Sequence, residues 1–252
     1  MIIIGERINT VKPRVAQAIA EKDAAFLQAE ARKQVEAGAE VIDANAGLTP
    51  DEPNTLRWLV ETLQAATSVP LCVDSANPKA IVAGLEACRD KENAWANTVT
   101  AERGRLDVVL PAVRDCGCNV VGLTIDEHGI PPTPEGRLAV AQRLAEEVYA
   151  AGIPLEKLYI DVLGQPVSVN VEYAVIAART LELVKRELSG IKTMMSLSVI
   201  SYGLPARSSL HRAFVSILMY LGIDALMLET LDKKLMAHIA ATRSVLGHDE
   251  FC

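Results

Sequence analysis

Short apolar runs that stop on an acid or an amide recur along this chain. In Val69-Pro-Leu-Cys-Val-Asp-Ser75, an apolar run introduced by proline ends abruptly at Asp74. Glu40-Val-Ile-Asp43, Ala94-Trp-Ala-Asn97 and Leu158-Tyr-Ile-Asp161 repeat this pattern. A strand that is apolar throughout is typical of a sheet covered on both faces by helices. The recurrence therefore predicts a parallel sheet whose polar strand ends meet at one edge.

Helix signals follow these runs. Asp23 is placed to cap a helix that closes at Gly38, and Asn77-Pro78 supplies a cap and a first-turn proline for another. From Ile2 to Leu246 we count eight strand–helix units, which predicts an α/β fold of the (β/α)8 TIM barrel type. A doubly wound open sheet is the alternative, but the chain lacks the G-x-G-x-x-G turn that such sheets carry after an early strand.

The composition favours one domain that faces small molecules or other proteins. No Gly/Ser-rich or Pro-rich linker divides the 252 residues, so we predict a single domain over residues 1–252. A formal net charge of -7 argues against nucleic acid and against anionic membranes. The longest apolar stretch, Ala213 to Ile223, is shorter than the roughly 20 residues that cross a bilayer. No secretory signal is recognisable, so we expect a cytoplasmic protein with reduced cysteines.

Metal chemistry is not indicated by the histidines or cysteines. The histidines do not cluster in the expected site, and only His128 is expected near it; the four are His128, His211, His238 and His248. Cys116-Gly-Cys118 has no second ligand pair at the spacing of a zinc site. We therefore predict no protein-bound catalytic metal, and two small buried residues at a helix-to-strand turn.

Polar residues at the strand ends should line one mouth. In a (β/α)8 barrel this edge holds the active site, and by this register it receives Asn9, Asp43, Asn45, Asp74, Asn97, Asp126, Asp161, Ser198 and Arg207. Acids and amides after strands are equally common as turn formers and caps, the role we assign to Asp126 and Asn77. Several of them in one pocket would be costly without a ligand. They suit a flat heterocycle such as an aminopyrimidinone.

Two other chemistries are less well supported. Lys192 begins its strand, on the stability face of a barrel, where a Schiff-base lysine could not reach substrate. A phosphate-binding site after strand seven is only weakly indicated, by Gly203, Arg207 and Ser208. Arg207 could equally contact the tail of a ligand or cap a neighbouring loop.

Several segments together resemble a known family. They are Ile3-Ile-Gly-Glu-Arg-Ile-Asn9, Ile42-Asp-Ala-Asn-Ala-Gly47, Leu71-Cys-Val-Asp-Ser75, Asn97, Gly122-Leu-Thr124 and Leu158-Tyr-Ile-Asp161. In this order, and over almost the whole length, the chain resembles the methyltetrahydrofolate:corrinoid protein methyltransferases. These are pterin-binding enzymes of the dihydropteroate synthase-like superfamily.

The resemblance implies a pterin-binding (β/α)8 barrel that forms homodimers. It also implies that Asp74, Asn97 and Asp161 hold the pterin ring of tetrahydrofolate or methyltetrahydrofolate. Asn9, Asp43 and Arg207 are further candidates for substrate binding at the same mouth. The methyl group is exchanged with the cobalt of cobalamin, a corrinoid carried by a separate corrinoid protein.

The chain departs from the family after strand seven. There the family places an asparagine that serves the methyl-bearing nitrogen, whereas this chain has Val199. Valine neither donates nor accepts a hydrogen bond. Tyr202, Ser198, Ser201 or a water could take over, the enzyme could work mainly by methylating tetrahydrofolate, or the pocket could hold a different substrate.

Two alternative functions share the fold. A dihydropteroate synthase-like condensation needs a lysine after strand seven and an arginine–histidine pair near the end. The segment Ser198–Ala206 contains no lysine, and His248-Asp249 lacks the adjacent arginine. A non-catalytic pterin-binding protein is the other alternative.

Overall fold

Eight parallel strands close into a barrel in sequence order in this computed structural model, which describes residues 1–248. The strands are β1 (Ile2–Gly5), β2 (Val41–Asn45), β3 (Leu71–Asp74), β4 (Trp95–Thr100), β5 (Asn119–Leu123), β6 (Leu158–Asp161), β7 (Lys192–Ser196) and β8 (Ala225–Leu228). Pairing of β1 with β8 closes the barrel. The expected TIM barrel is confirmed. One residue of the sequence analysis, Asp249, lies outside the described part of the chain.

A helix or helix pair follows each strand. The helices are α1 (Pro13–Ala20), α2 (Ala24–Glu36), α3 (Glu52–Gln64), α4 (Pro78–Ala87), α5 (Arg103–Cys116), α6 (Pro134–Ala150), α7 (Tyr173–Glu187), α8 (Arg207–Tyr220) and α9 (Lys233–Val245). Short 3-10 helices cover Leu155–Lys157 and Leu197–Ser201. The caps are those expected: Asp23 accepts from Phe26 N, and Asn77 accepts from Lys79 N.

Alternation along the strands sorts the barrel interior into two layers. Side chains on alternate residues of a strand point to the same face. The apolar floor is a buried cluster inside the barrel that includes Ile4, Val41, Cys72, Trp95, Val121, Tyr159, Met194 and Met227. Two residues further along the strands comes the polar layer, formed by Glu6, Asp43, Asp74, Asn97, Asp161, Ser196 and Glu229, with Leu123 as an apolar member. The mouth therefore rests on a packed base, on which the rings of Trp95 and Tyr159 lie 4.2 Å apart.

The helices pack closely on the outside of the strands. Two clusters of buried aliphatic side chains fill the space between strands and helices. Gly84 lets α4 approach β3, since a Cβ at this position would lie 2.5 Å from Val73 Cγ1. This packing gives the strand ends a rigid support.

Neither a membrane span nor a metal cluster is found in residues 1–248. No helix in this range is long and apolar enough to cross a bilayer, and no group of His, Cys, Asp and Glu could hold a metal ion. Cys118 is buried as expected, but Cys116 is partly exposed. Burial raises the pKa of Cys118 to about 12, so this side chain stays a thiol at neutral pH.

Candidate functional site

Two connected cavities open at the carboxyl ends of the strands. The inner cavity, of about 230 Å³, is lined by Asn9, Asp74, Asn97, Thr98, Leu123, Asp161, Leu163, Gly164, Met194, Ser196, Val199 and Met227. The outer cavity, of about 900 Å³, is lined by Glu6, Asn9, Val11, Lys12, Pro166, Ser196, Ser198, Val199, Tyr202, Arg207, Ser208, His211, Met227, Glu229 and Asp232. Asn9, Ser196, Val199 and Met227 belong to both, so a ligand could extend from one into the other.

Three polar side chains from separate strands meet in the inner cavity. Asp74 ends β3 and Asp161 ends β6, as expected. Asn97 does not end its strand, because β4 continues to Thr100, which corrects the predicted strand end. The pairing of β4 with β5 shifts register between Ala96 and Val99, an irregularity that no pattern in the sequence signals.

The Asp74 carboxylate is held by two donors. Asn45 Nδ2 donates to Asp74 Oδ2 over 2.9 Å, and Thr98 Oγ1 donates to Oδ1 over 3.1 Å. Burial raises the pKa of Asp74, and these two hydrogen bonds oppose the rise. Asn45, expected at the mouth, thus orients a neighbouring carboxylate, and Thr98 is a site residue that the sequence analysis missed.

Asp161 sits at the start of a loop tied down by a buried arginine. Leu163 N donates to Asp161 Oδ1 over 2.8 Å. Arg137 of α6 is fully buried and donates to the carbonyl oxygens of Val162 and Leu163 over 2.9 and 2.7 Å. It also donates to Pro131 O at 3.1 Å and to Gln165 Oε1. Arg137, which the sequence analysis missed, therefore positions the backbone around Asp161.

Burial makes Asp161 a weaker acid than an ordinary aspartate. The loss of hydration raises the pKa of Asp161 to about 7, although the Leu163 N–H and the Arg137 charge oppose this rise and the Asp74 charge adds to it. A ligand that donates N–H groups would compensate the cost of ionising this carboxylate. The inner cavity is therefore suited to a ring with adjacent hydrogen-bond donors.

Asp43 lies deeper than predicted and lines neither cavity. It pairs in register with Cys72, two residues below the Asn45–Asp74 pair. The side chain is fully buried and lies beside the Cys72 thiol. Burial, together with the charges of Asp74 and Glu6, holds the pKa of Asp43 well above its usual range. The mouth assignment was wrong because the depth of a residue depends on the register between strands.

Val199 lies in the 3-10 helix Leu197–Ser201, at the junction of the two cavities. Arg207 ties this turn to α8, since Arg207 Nη2 donates to Ser198 O and Nε donates to Ser201 Oγ, each over 2.9 Å. Arg207 thus caps a neighbouring loop while it also lines the outer cavity. Tyr202, on the rim, is 69% exposed.

The histidine near the mouth is His211. The prediction that only His128 would be near the site was wrong. His128 instead lines a separate cavity of about 490 Å³, together with Asp126, whose side chain accepts a hydrogen bond from His128 N. His211, on α8, lines the outer cavity and its Nε2 lies 2.7 Å from Ser201 Oγ. Burial and the Arg207 charge lower the pKa of His211.

Besides Asp232 at the start of α9, the outer cavity contains two acids that the sequence analysis did not include, Glu6 and Glu229. Glu229 Oε2 accepts from Arg7 over 2.9 Å and from Lys12 over 3.3 Å. Both acids belong to the polar layer, two residues beyond Ile4 of β1 and Met227 of β8. The alternation along each strand could have identified them without the structure.

Comparisons with known proteins agree with this geometry. The model of the family "Pterin binding enzyme" matches residues 5–229. A methylcorrinoid:tetrahydrofolate methyltransferase of Eubacterium limosum is 33% identical over 255 aligned residues, which cover all of this chain and 93% of that protein. A methionine synthase of Mycobacterium tuberculosis is 25% identical over 239 residues, 89% of this chain but only 20% of the larger protein.

Solved structures show the same architecture. The dihydropteroate synthase of Yersinia pestis superposes with a TM-score of 0.71, at 19% identity, and the match covers 98% of this chain and 93% of that one. The dihydropteroate synthase of Xanthomonas albilineans in complex with 7,8-dihydropteroate gives a TM-score of 0.69 at 21% identity, over 98% of this chain and 92% of that one. At this identity the likeness establishes the fold alone.

Proposed function

Because the chain belongs to the family of pterin binding enzymes, we propose that it transfers a methyl group from a methylated corrinoid protein to tetrahydrofolate. The observation that carries the proposal is the convergence of Asp74, Asn97 and Asp161, from three separate strands, on one small cavity. In the relative from Eubacterium limosum the same two substrates are named.

The inner cavity would hold the pterin ring. The carboxylates of Asp74 and Asp161 accept from the ring N–H groups, and the Asn97 amide can both donate and accept. The ring would lie above the apolar floor, where Met194 and Met227 line the cavity. Its desolvated position strengthens each hydrogen bond to a carboxylate.

Val199 favours the direction toward methyltetrahydrofolate. Removing a methyl group from methyltetrahydrofolate leaves a poor amine leaving group, so the nitrogen must receive a proton or a strong hydrogen bond. Methylating tetrahydrofolate needs no such donor, because the nitrogen attacks with its own lone pair. A valine beside the nitrogen therefore suits this direction, which is also the order of substrates in the name of the Eubacterium limosum relative.

The cobalamin would be brought by a separate corrinoid protein. The outer cavity is wide, and its rim carries the exposed side chains of Val11 and Tyr202. Such an apolar rim could pack against a partner that covers the mouth. Closing the mouth would exclude water from the methyl group in transit.

We also propose a homodimer formed through α7 and α8. A groove of about 200 Å³ between these helices is lined by Ala174, Val175, Ala178, Arg179, Glu182, Phe214, Ile217 and Leu221. Val175, Ile217 and the nearby Tyr220 are 52, 48 and 76% exposed. Contiguous exposed apolar side chains are typical of an interface, and Arg179 and Glu182 offer opposite charges to a second copy.

Calorimetric titration with tetrahydrofolate and with methyltetrahydrofolate tests ring binding. We expect both to bind, Asp161→Ala to abolish binding, and Val199→Asn to leave the Kd within about threefold while changing the transfer rate. No binding of either folate would refute the function, and unchanged binding by Asp161→Ala would refute the site. Single-turnover transfer of the methyl group separates an enzyme from a non-catalytic binding protein.

A further inference from the structure

Methylating tetrahydrofolate leaves a proton that must be removed, a step that rests on the proposed function. The nitrogen lone pair forms the new N–C bond, and the Co–C bond breaks with its electron pair staying on cobalt, so that Co(III) becomes Co(I). As this bond forms, positive charge develops on the nitrogen, which still carries its original hydrogen. A base that takes this proton in the same step gives the neutral methylated amine and lowers the barrier to Co–C cleavage. Val199 cannot act as this base.

Most titratable groups of the outer cavity already have partners. Glu229 pairs with Arg7 and Lys12. Asp232 accepts from the backbone N–H groups at the start of α9 and from Ser208 Oγ. His211 Nε2 forms a hydrogen bond with Ser201 Oγ. Each of these groups would lose an existing contact if it took up a proton or turned toward the substrate.

Glu6 differs from these groups in its surroundings. It follows β1 directly, belongs to the polar layer and lines the outer cavity. Within residues 1–248 its carboxylate forms no ion pair. The Ser198 hydroxyl lies near this carboxylate and opposes the rise in its pKa, and Ser198 immediately precedes Val199. Glu6 thus faces the segment in which the family's asparagine is missing.

We propose that Glu6 is the base that takes the proton from the methylated nitrogen, across the mouth from Val199. Burial raises the pKa of Glu6, and the negative charge of Glu229 raises it further. Ser198, Lys12 and Arg207 oppose this rise. Asp43, buried below, also interacts with this charge. A carboxyl group whose pKa is shifted toward neutrality is better matched to taking up a proton near pH 7.

The experiment compares the native chain with Glu6→Gln. Single-turnover transfer from methylcobalamin to saturating tetrahydrofolate is followed under anaerobic conditions by the absorbance of cobalamin, between pH 5 and 9. We expect Glu6→Gln to bind tetrahydrofolate within about threefold of the native Kd but to transfer roughly 100-fold more slowly. The bound ring holds Asp161 ionised at saturating tetrahydrofolate, so the native rate should fall at acid pH as Glu6 becomes protonated, and this limb should be absent in Glu6→Gln.

Two further variants complete the design. Glu6→Asp withdraws the carboxylate by one methylene group, so we expect a slower rate with the acid limb retained. Glu61→Gln, on the exposed face of α3, is the control and should match the native chain. If Glu6→Gln transfers methyl groups at the native rate with the native pH profile, the role of Glu6 is refuted and the proposed function stands. If the native chain binds no tetrahydrofolate, both are refuted.

Discussion

Among single residues, Asp161 shows most clearly a conflict between stability and binding. Its folded pKa of about 7 lies above the ordinary value of 3.8, so the folded chain holds the proton more tightly than the unfolded chain. The free energy of unfolding is therefore highest when Asp161 is protonated and decreases as the pH rises from about 4 to about 7. The ionised form of Asp161, which a bound ring would need, therefore lowers the free energy of unfolding of the ligand-free protein.

Asp161→Asn should separate these two effects. The amide keeps an acceptor for Leu163 N but carries no charge, so we expect the variant to be more stable than the native chain at pH 8 by up to about 4 kcal/mol. The gain should shrink toward pH 4, while tetrahydrofolate binding weakens at least about tenfold. Urea unfolding at both pH values measures the difference. Asp107→Asn, exposed on α5, should change stability little at either pH, and equal stabilities of Asp161→Asn and the native chain at pH 8 would contradict the argument.

Among the elements that hold the site, α6 and the loop after β6 are joined by the side chain of Arg137. Its guanidinium group bridges α6 to the loop after β6, where Leu163 has the unfavourable φ of +55°. Removing a buried donor leaves several carbonyl oxygens without partners. The loop that begins at Asp161 should then lose its fixed conformation.

Arg137→Met should destabilise the fold by about 3 kcal/mol and weaken tetrahydrofolate binding. Arg143→Met on the same helix is the matched control. Arg143 forms an exposed pair with Glu127, whose pKa this arginine lowers to about 2, and such exposed pairs contribute little to stability. Chemical denaturation and calorimetry measure both variants. Similar losses of stability and of tetrahydrofolate binding in the two variants would contradict a positioning role for Arg137.

Contact between α4 and β3 allows a second test at this scale. Gly84→Ala should destabilise by about 1 to 3 kcal/mol, because its Cβ would lie 2.5 Å from Val73 Cγ1. Gly104→Ala, in α5 with no atom within 4 Å of the added Cβ, should stabilise by up to about 1 kcal/mol. Thermal unfolding of the two variants should therefore shift in opposite directions.

The sequence predicts these elements better than it predicts their mutual depth. Apolar runs and caps located all eight strands, since these signals are local along the chain. The depth of Asp43 and the continuation of β4 past Asn97 depend on pairing between strands, which no local pattern encodes. The location of His211 was predicted wrongly, because a position in a helix does not reveal that this part of α8 lines the outer cavity. Glu6 and Glu229 could have been found by extending the alternation by one step.

For the whole molecule, the exposed apolar face on α7 and α8 leads to a prediction about assembly. Ile217→Glu should place a charge in the proposed interface and raise the dimer Kd by at least about 100-fold. Sedimentation velocity across a concentration series measures this change. Val108→Glu, at another exposed apolar position on α5, should leave the assembly unchanged. A native chain that stays monomeric at high concentration would contradict the proposed homodimer.

The two-layer interior also has a consequence for how such a barrel can diversify. The proposed ring contacts are distributed over β3, β4 and β6, whereas Val199 belongs to a short turn outside those strands. A substitution in that turn can alter proton handling without moving a ring contact. The rate of the proposed methyl transfer could thus change in evolution while the substrate stays the same. In this architecture, ring affinity and transfer rate can change independently.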